Sequence, residues 1–100
     1  MTRYVWMYSI AGDPDLVRTT APRHTEYWHS LHLPGYAGGP FADRSGGLIT
    51  FLADDDEAAS QAVDADPFIR AGLIGESWLK AWQPVGVEEP LTAVLQMDAR

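Results

Sequence analysis

Apolar residues recur at two different spacings along this chain, and each change of spacing marks an element. From Arg3 to Ile10 most side chains are aromatic or branched, so the segment reads as a strand. Tyr4, Trp6, Tyr8 and Ile10 fall on one face, Val5 and Met7 on the other, and a strand apolar on both faces needs cover on both. Gly12-Asp13-Pro14-Asp15 reads as a turn by its composition. Thr19-Thr20-Ala21-Pro22 then reads as a helix start, with a threonine N-cap and proline in the first turn. His24, Tyr27, Trp28 and Leu31 follow at i, i+3, i+4 and i+7, the stripe of an amphipathic helix, which Pro34-Gly35 ends.

A short strand over Tyr36 to Gly39 leads into the loop Gly38-Gly39-Pro40-Phe41-Ala42-Asp43-Arg44-Ser45-Gly46-Gly47, and a second strand runs from Leu48 to Ala53. Asp54-Asp55-Asp56-Glu57 sets acid at the start of a second helix, where the positive end of the macrodipole favours it; this accounts for the run better than a metal site does. Ala58, Ala59, Ala62 and Val63 form the buried face of that helix. Asp66-Pro67-Phe68 caps a further short helical turn that Ala71-Gly72 closes, and Gly75 to Trp82 is the last strand, with Trp78 and Trp82 on one face. This order of elements predicts an α+β chain with a ferredoxin-like βαββαβ fold, both main helices lying on one face of an antiparallel sheet. The uncovered face calls for a second copy of the sheet, so the expectation is a homodimer of the dimeric α+β barrel type. Residues 1–84 form the domain, and 85–100 are a tail containing Pro90 and an apolar segment from Leu91 to Leu95.

Composition narrows the functional classes. One hundred residues make one domain, and 46% hydrophobic residues suffice to fold it. A net charge of −7, with only seven scattered Lys and Arg, argues against a nucleic-acid partner. With no cysteine there is no disulfide, no thiolate metal site and no cysteine nucleophile. Neither a secretory leader nor a membrane-length apolar run is visible, so the expectation is a cytoplasmic protein without a membrane partner.

The residues that carry chemistry are few. His24 falls in the first turn of its expected helix, where the macrodipole opposes protonation and leaves a neutral imidazole able to act as a base. Asp43 sits on a loop stiffened by glycine and proline, and reads either as the cap of its own turn or as a carboxylate presented to a partner. His29 and His32 share a face at i, i+3 without a neighbouring carboxylate, a poor metal site, so no metal is expected. No serine has a supporting motif, which leaves proton transfer ahead of covalent chemistry.

Taken together, Arg23-His24, Tyr27, Leu31, Gly35, Gly39-Pro40-Phe41, Asp43, Gly46-Gly47, Ala58 and Asp66-Pro67-Phe68 through Gly72 resemble the YCII-related (YciI-like) domain family over about residues 3 to 84. The resemblance implies a dimeric ferredoxin-like fold with a His/Asp-centred site, and members linked to dehydrohalogenation or lyase-type steps on hydroxylated aromatic compounds. It pairs His24 with Asp43 as the catalytic residues and puts Arg23 and Phe41 at the substrate. Ala21 stands where some members have arginine three residues before the histidine. The expected activity is an isomerase or elimination-type lyase that needs no cofactor and acts on a small cyclic or hydroxyaromatic substrate. The alternative is a non-catalytic dimer that binds a small ligand or a partner.

Overall fold

The first strand, β1 (Thr2–Ile10), lies inside the sheet and carries its core. After it come α1 (Pro14–Ser30), β2 (Ala37–Pro40), β3 (Gly46–Ala53), α2 (Asp56–Asp64), α3 (Pro67–Arg70) and β4 (Ile74–Ala81). The computed structural model describes residues 1–86, so the apolar segment expected from Leu91 to Leu95 lies outside the described residues. The strands are ordered β2-β3-β1-β4 and every neighbouring pair is antiparallel. This is the ferredoxin-like α+β fold that the sequence predicts.

The register explains why alternate residues of β1 are aromatic. Tyr4 lies opposite Phe51, Trp6 opposite Ile49 and Tyr8 opposite Gly47, and these side chains share the helix-facing side. There Trp6 and Phe51 are almost completely buried, joined by Trp28 from α1 and Phe68 from α3. Trp6 stacks on Tyr8 and lies 6.0 Å from Trp28, centroid to centroid. On the opposite side Val5 pairs with Thr50 and Lys80, and Met7 with Leu48 and Trp78. Trp78 there is 48% exposed. Arg3, also on that side, is buried and donates to the carbonyl of Gly35 and the hydroxyl of Thr50, each at 3.0 Å.

The first helix begins earlier than Thr19-Thr20-Ala21-Pro22 suggests. Asp13 is its N-cap, accepting from the amide of Asp15, and Pro14 occupies the first turn, where its missing N–H is not needed. Pro22 therefore sits inside the helix, on an exposed face. An internal proline costs about 3 kcal/mol, because it withholds one intrahelical bond and crowds the preceding turn. Burial of Thr20 and Trp28, with Val17, Ala21, Tyr27 and Leu31 packed on the core, holds the helix together through that defect.

The other helices follow their caps. Asp55 accepts from the amide of Ala58 at the start of α2, whose Ala59 and Val63 are buried. Asp66 caps α3, and Gly72 follows it at φ 71, the left-handed conformation that ends such a turn. Among the described residues no helix is long and apolar enough to cross a membrane.

Candidate active site

His24 lies about three turns into α1, so the N-terminal macrodipole expected to act on it is out of reach. What reaches it instead is α3. His24 and Trp28 are one turn apart, so their side chains leave α1 on one face and meet the same acceptor. That acceptor is Asp66, which is fully buried. Its Oδ2 lies 2.6 Å from His24 Nδ1 and 2.5 Å from the indole nitrogen of Trp28, which donates to it. Its Oδ1 accepts from the amide of Phe68 at 2.6 Å, the capping bond of α3. One carboxylate thus ends a helix, satisfies a buried indole and fixes a histidine. With Asp66 accepting at Nδ1, the hydrogen of the neutral ring sits on Nδ1 and the lone pair on Nε2.

Nε2 faces Tyr8, whose hydroxyl lies 3.3 Å away. Burial is the first cause, and the nearby charge of Asp66 the second, that pushes the Tyr8 phenol up to about 12, so it remains a proton donor at neutral pH. The paired glycines of β3 make room for this ring. A Cβ on Gly47 would stand 2.4 Å from the Tyr8 hydroxyl, and one on Gly46 would run into the Tyr8 backbone. Phe68 stacks on the imidazole with centroids 4.4 Å apart.

Tyr8, His24 and Phe68 line a cavity of about 700 Å³ between α1 and the β2–β3 side of the sheet. Ile10, Val17 and Ile49 give it an apolar wall, and the exposed residues Thr25, His29 and Arg44 stand at its edge. Tyr36 closes one end, stacked on Trp28 and edge-on to His29. This is the size and character of a small-molecule site.

The other residues singled out from the sequence lie apart from that cavity. Asp43 does not pair with His24, whose two ring nitrogens are engaged by Asp66 and Tyr8. Its Oδ1 accepts from the amide of Ser45 at 3.0 Å and from the Ser45 hydroxyl at 2.6 Å, which lowers the carboxyl below its usual range. Capping its own turn is what a short acid does on an exposed glycine-rich loop, and the alternative reading of Asp43 describes this structure. Arg23 is exposed on α1 and is not among the lining residues. Phe41 lines a different cavity, of about 500 Å³, with Met7, Glu76 and Trp78.

The sequence marks Asp66 as a helix cap and does not announce its link to His24. The signal lay in Trp28, since a tryptophan on the buried stripe needs an acceptor for its N–H, and His24 shares its face.

The model of the YCII-related domain matches residues 1–83. The chain belongs to the YCII-related domain family. No curated protein matches its sequence. Among solved structures, this YCII-related domain is similar to 5-chloro-2-hydroxyhydroquinone dehydrochlorinase from Burkholderia phenoliruptrix AC1100 in complex with 2,5-dihydroxybenzoquinone. The two are 20% identical over 83% of this chain and 94% of that one, with a TM-score of 0.68. A weaker likeness is to SnoaB, a cofactor-independent oxygenase from Streptomyces nogalater, at 17% identity, 87% and 97% coverage and a TM-score of 0.47. At 20% identity the likeness to the dehydrochlorinase is one of fold, and the chemistry of this YCII-related domain has to be argued from its own residues.

Proposed function

We propose that the protein is an enzyme that moves protons on a small cyclic or hydroxyaromatic substrate, with His24 as general base and acid and Asp66 as the group that orients it. The observation that carries this reading is the imidazole itself. Nδ1 is tied to a buried carboxylate, Nε2 faces the Tyr8 hydroxyl, and both rings line a cavity large enough for a small cyclic molecule. Such a pair needs no cofactor for this step. A substrate C–H or O–H that takes the place of the Tyr8 hydroxyl at Nε2 loses its proton to the ring, and the Asp66 carboxylate offsets the imidazolium charge. The electron pair left on the substrate then either expels a leaving group as its anion, completing an elimination, or is reprotonated elsewhere by His24, completing an isomerisation. Tyr8, held neutral, donates a hydrogen bond to the oxygen on which charge develops.

A fold shared with a dehydrochlorinase solved in complex with a quinone supports the substrate class, and the family membership agrees with a site centred on a histidine and an aspartate. In this reading Asp43 acts at a distance, by holding the loop at the cavity edge. The active unit is a homodimer joined through the face that exposes Trp78.

The test is turnover, and hydrogen–deuterium exchange from solvent, across a panel of hydroquinones, halogenated hydroquinones and cyclic enones. Wild type is expected to act on at least one of them. His24→Gln should lose roughly two or more orders of magnitude, the usual contribution of a positioned acid–base group. Equal rates in the two proteins would remove this histidine from the mechanism, and no turnover of any compound by wild type would leave a ligand-binding module.

A further inference from the structure

The protein is acidic, with 14 Asp and Glu against 7 Lys and Arg, and so repels small anions over most of its surface. The cavity at His24 departs from that balance. No Asp or Glu lines it, whereas Arg44, His24 and His29 do, along with the side chains of Tyr8, Thr25 and Tyr36. Asp66 lies behind the imidazole, fully buried, with both oxygens occupied by protein donors. Its charge therefore serves the ring and is shielded from a ligand.

Arg44 differs from the arginines of known engagement. Arg18 is paired with Asp15 at 2.8 Å, and Arg3 is bonded inside the fold. Among the described residues the Arg44 side chain has no hydrogen bond or ion pair, and Arg44 is one of the residues that line the cavity. Its backbone is also fixed in an uncommon place. Arg44 has φ 65, a left-handed conformation that is unfavourable for a residue with a side chain. The Asp43–Ser45 contacts, the bond from its own amide to Phe41 and the bond from Phe41 to Gly46 hold it there.

We infer that the cavity recognises a planar ring bearing an anionic oxygen, a carboxylate or an ionised enol or phenol, whose charge pairs with Arg44 while its ring lies against Phe68 within reach of His24. A guanidinium presents several donors in one plane and suits such an oxygen group better than an ammonium does. The inference rests on this cavity being the substrate site and adds the charge that the substrate carries.

The probes are 2,5-dihydroxybenzoate and its methyl ester, which differ by one negative charge on the same ring. Each is titrated into the full chain at low salt by calorimetry and tryptophan fluorescence, using wild type, Arg44→Gln, Arg44→Lys and Arg18→Gln. The acid is expected to bind wild type at least tenfold more tightly than the ester. Arg44→Gln should weaken the acid by roughly ten- to hundredfold, the value of a charge-assisted bond, and leave the ester unchanged. Arg44→Lys should recover part of the loss, and Arg18→Gln, which removes the same charge from α1, away from the cavity, should bind as wild type does. Equal binding of acid and ester, undiminished acid binding in Arg44→Gln, or no binding of the acid at millimolar concentration would overturn the inference. Binding is read here without turnover. A cavity that holds the anion through Arg44 yet transfers no proton therefore counts against the proposed reaction alone, and turnover of neutral rings indifferent to Arg44 counts against this inference alone.

Discussion

At the scale of single residues, Asp66 links stability to chemistry. Replacing it by Asn leaves one side-chain acceptor oxygen where three donors converge and turns an NH2 group toward the others. Stranding a buried donor costs about 1–3 kcal/mol, so Asp66→Asn is expected to lower the urea midpoint by an amount equivalent to about 2–4 kcal/mol. On a substrate found by the panel it should also cut turnover at least as deeply as a misoriented histidine does. Asp43→Asn, on an exposed loop, should leave the urea midpoint close to that of wild type. The reverse ranking of the two variants would restore Asp43 as the partner of His24. Tyr8 gives a pH dependence with a defined sign. Its folded value is raised from 10.0 to about 12, so its contribution to stability is complete below pH 10 and is lost as pH rises toward 12. Alkaline unfolding followed by tyrosinate absorbance should show one cooperative loss in that window, and Tyr8→Phe should shift it upward.

The elements differ in how far the sequence disclosed them. The strands were readable because their alternation has only one physical solution, and the observed β1, β3 and β4 lie within two residues of the segments read from the pattern. The start of α1 was not, because Asp13-Pro14 and Thr20-Ala21-Pro22 both carry the chemistry of a helix entrance. Local preference alone would stop a helix at the second proline. The buried stripe running from Val17 through Trp28 overrides it. Pro22→Ala, on an exposed face, is therefore expected to stabilise the protein by more than about 1 kcal/mol in urea unfolding, since it restores the missing bond. No gain would mean that the proline sets a bend the core requires. The carboxylate at His24 escaped the sequence for another reason. Asp66 and His24 are 42 residues apart, and only the docking of α3 on α1 brings them together. Asp43, nearer in sequence and on a stiff loop, was the more visible acid but is occupied by its own turn.

At the scale of the whole molecule, the helices protect one face of the sheet and leave Val5, Met7 and Leu48 half-covered beside the exposed ring of Trp78 on the other. A large exposed aromatic surrounded by apolar neighbours is the usual centre of an interface. Sedimentation or light scattering at micromolar concentration is expected to give the mass of two chains, and Trp78→Lys the mass of one with the fold retained. A wild-type monomer would refute the shared-face assembly. The junction of α1 with α3 also lends itself to spectroscopy. The indole of Trp28 and the imidazole of His24 end on the same oxygen atom, so protonation or deprotonation of the imidazole must perturb the indole nitrogen beside it. A single nitrogen–proton resonance from Trp28 can thus be followed as acidity or candidate compounds are varied, which makes the protein its own indicator.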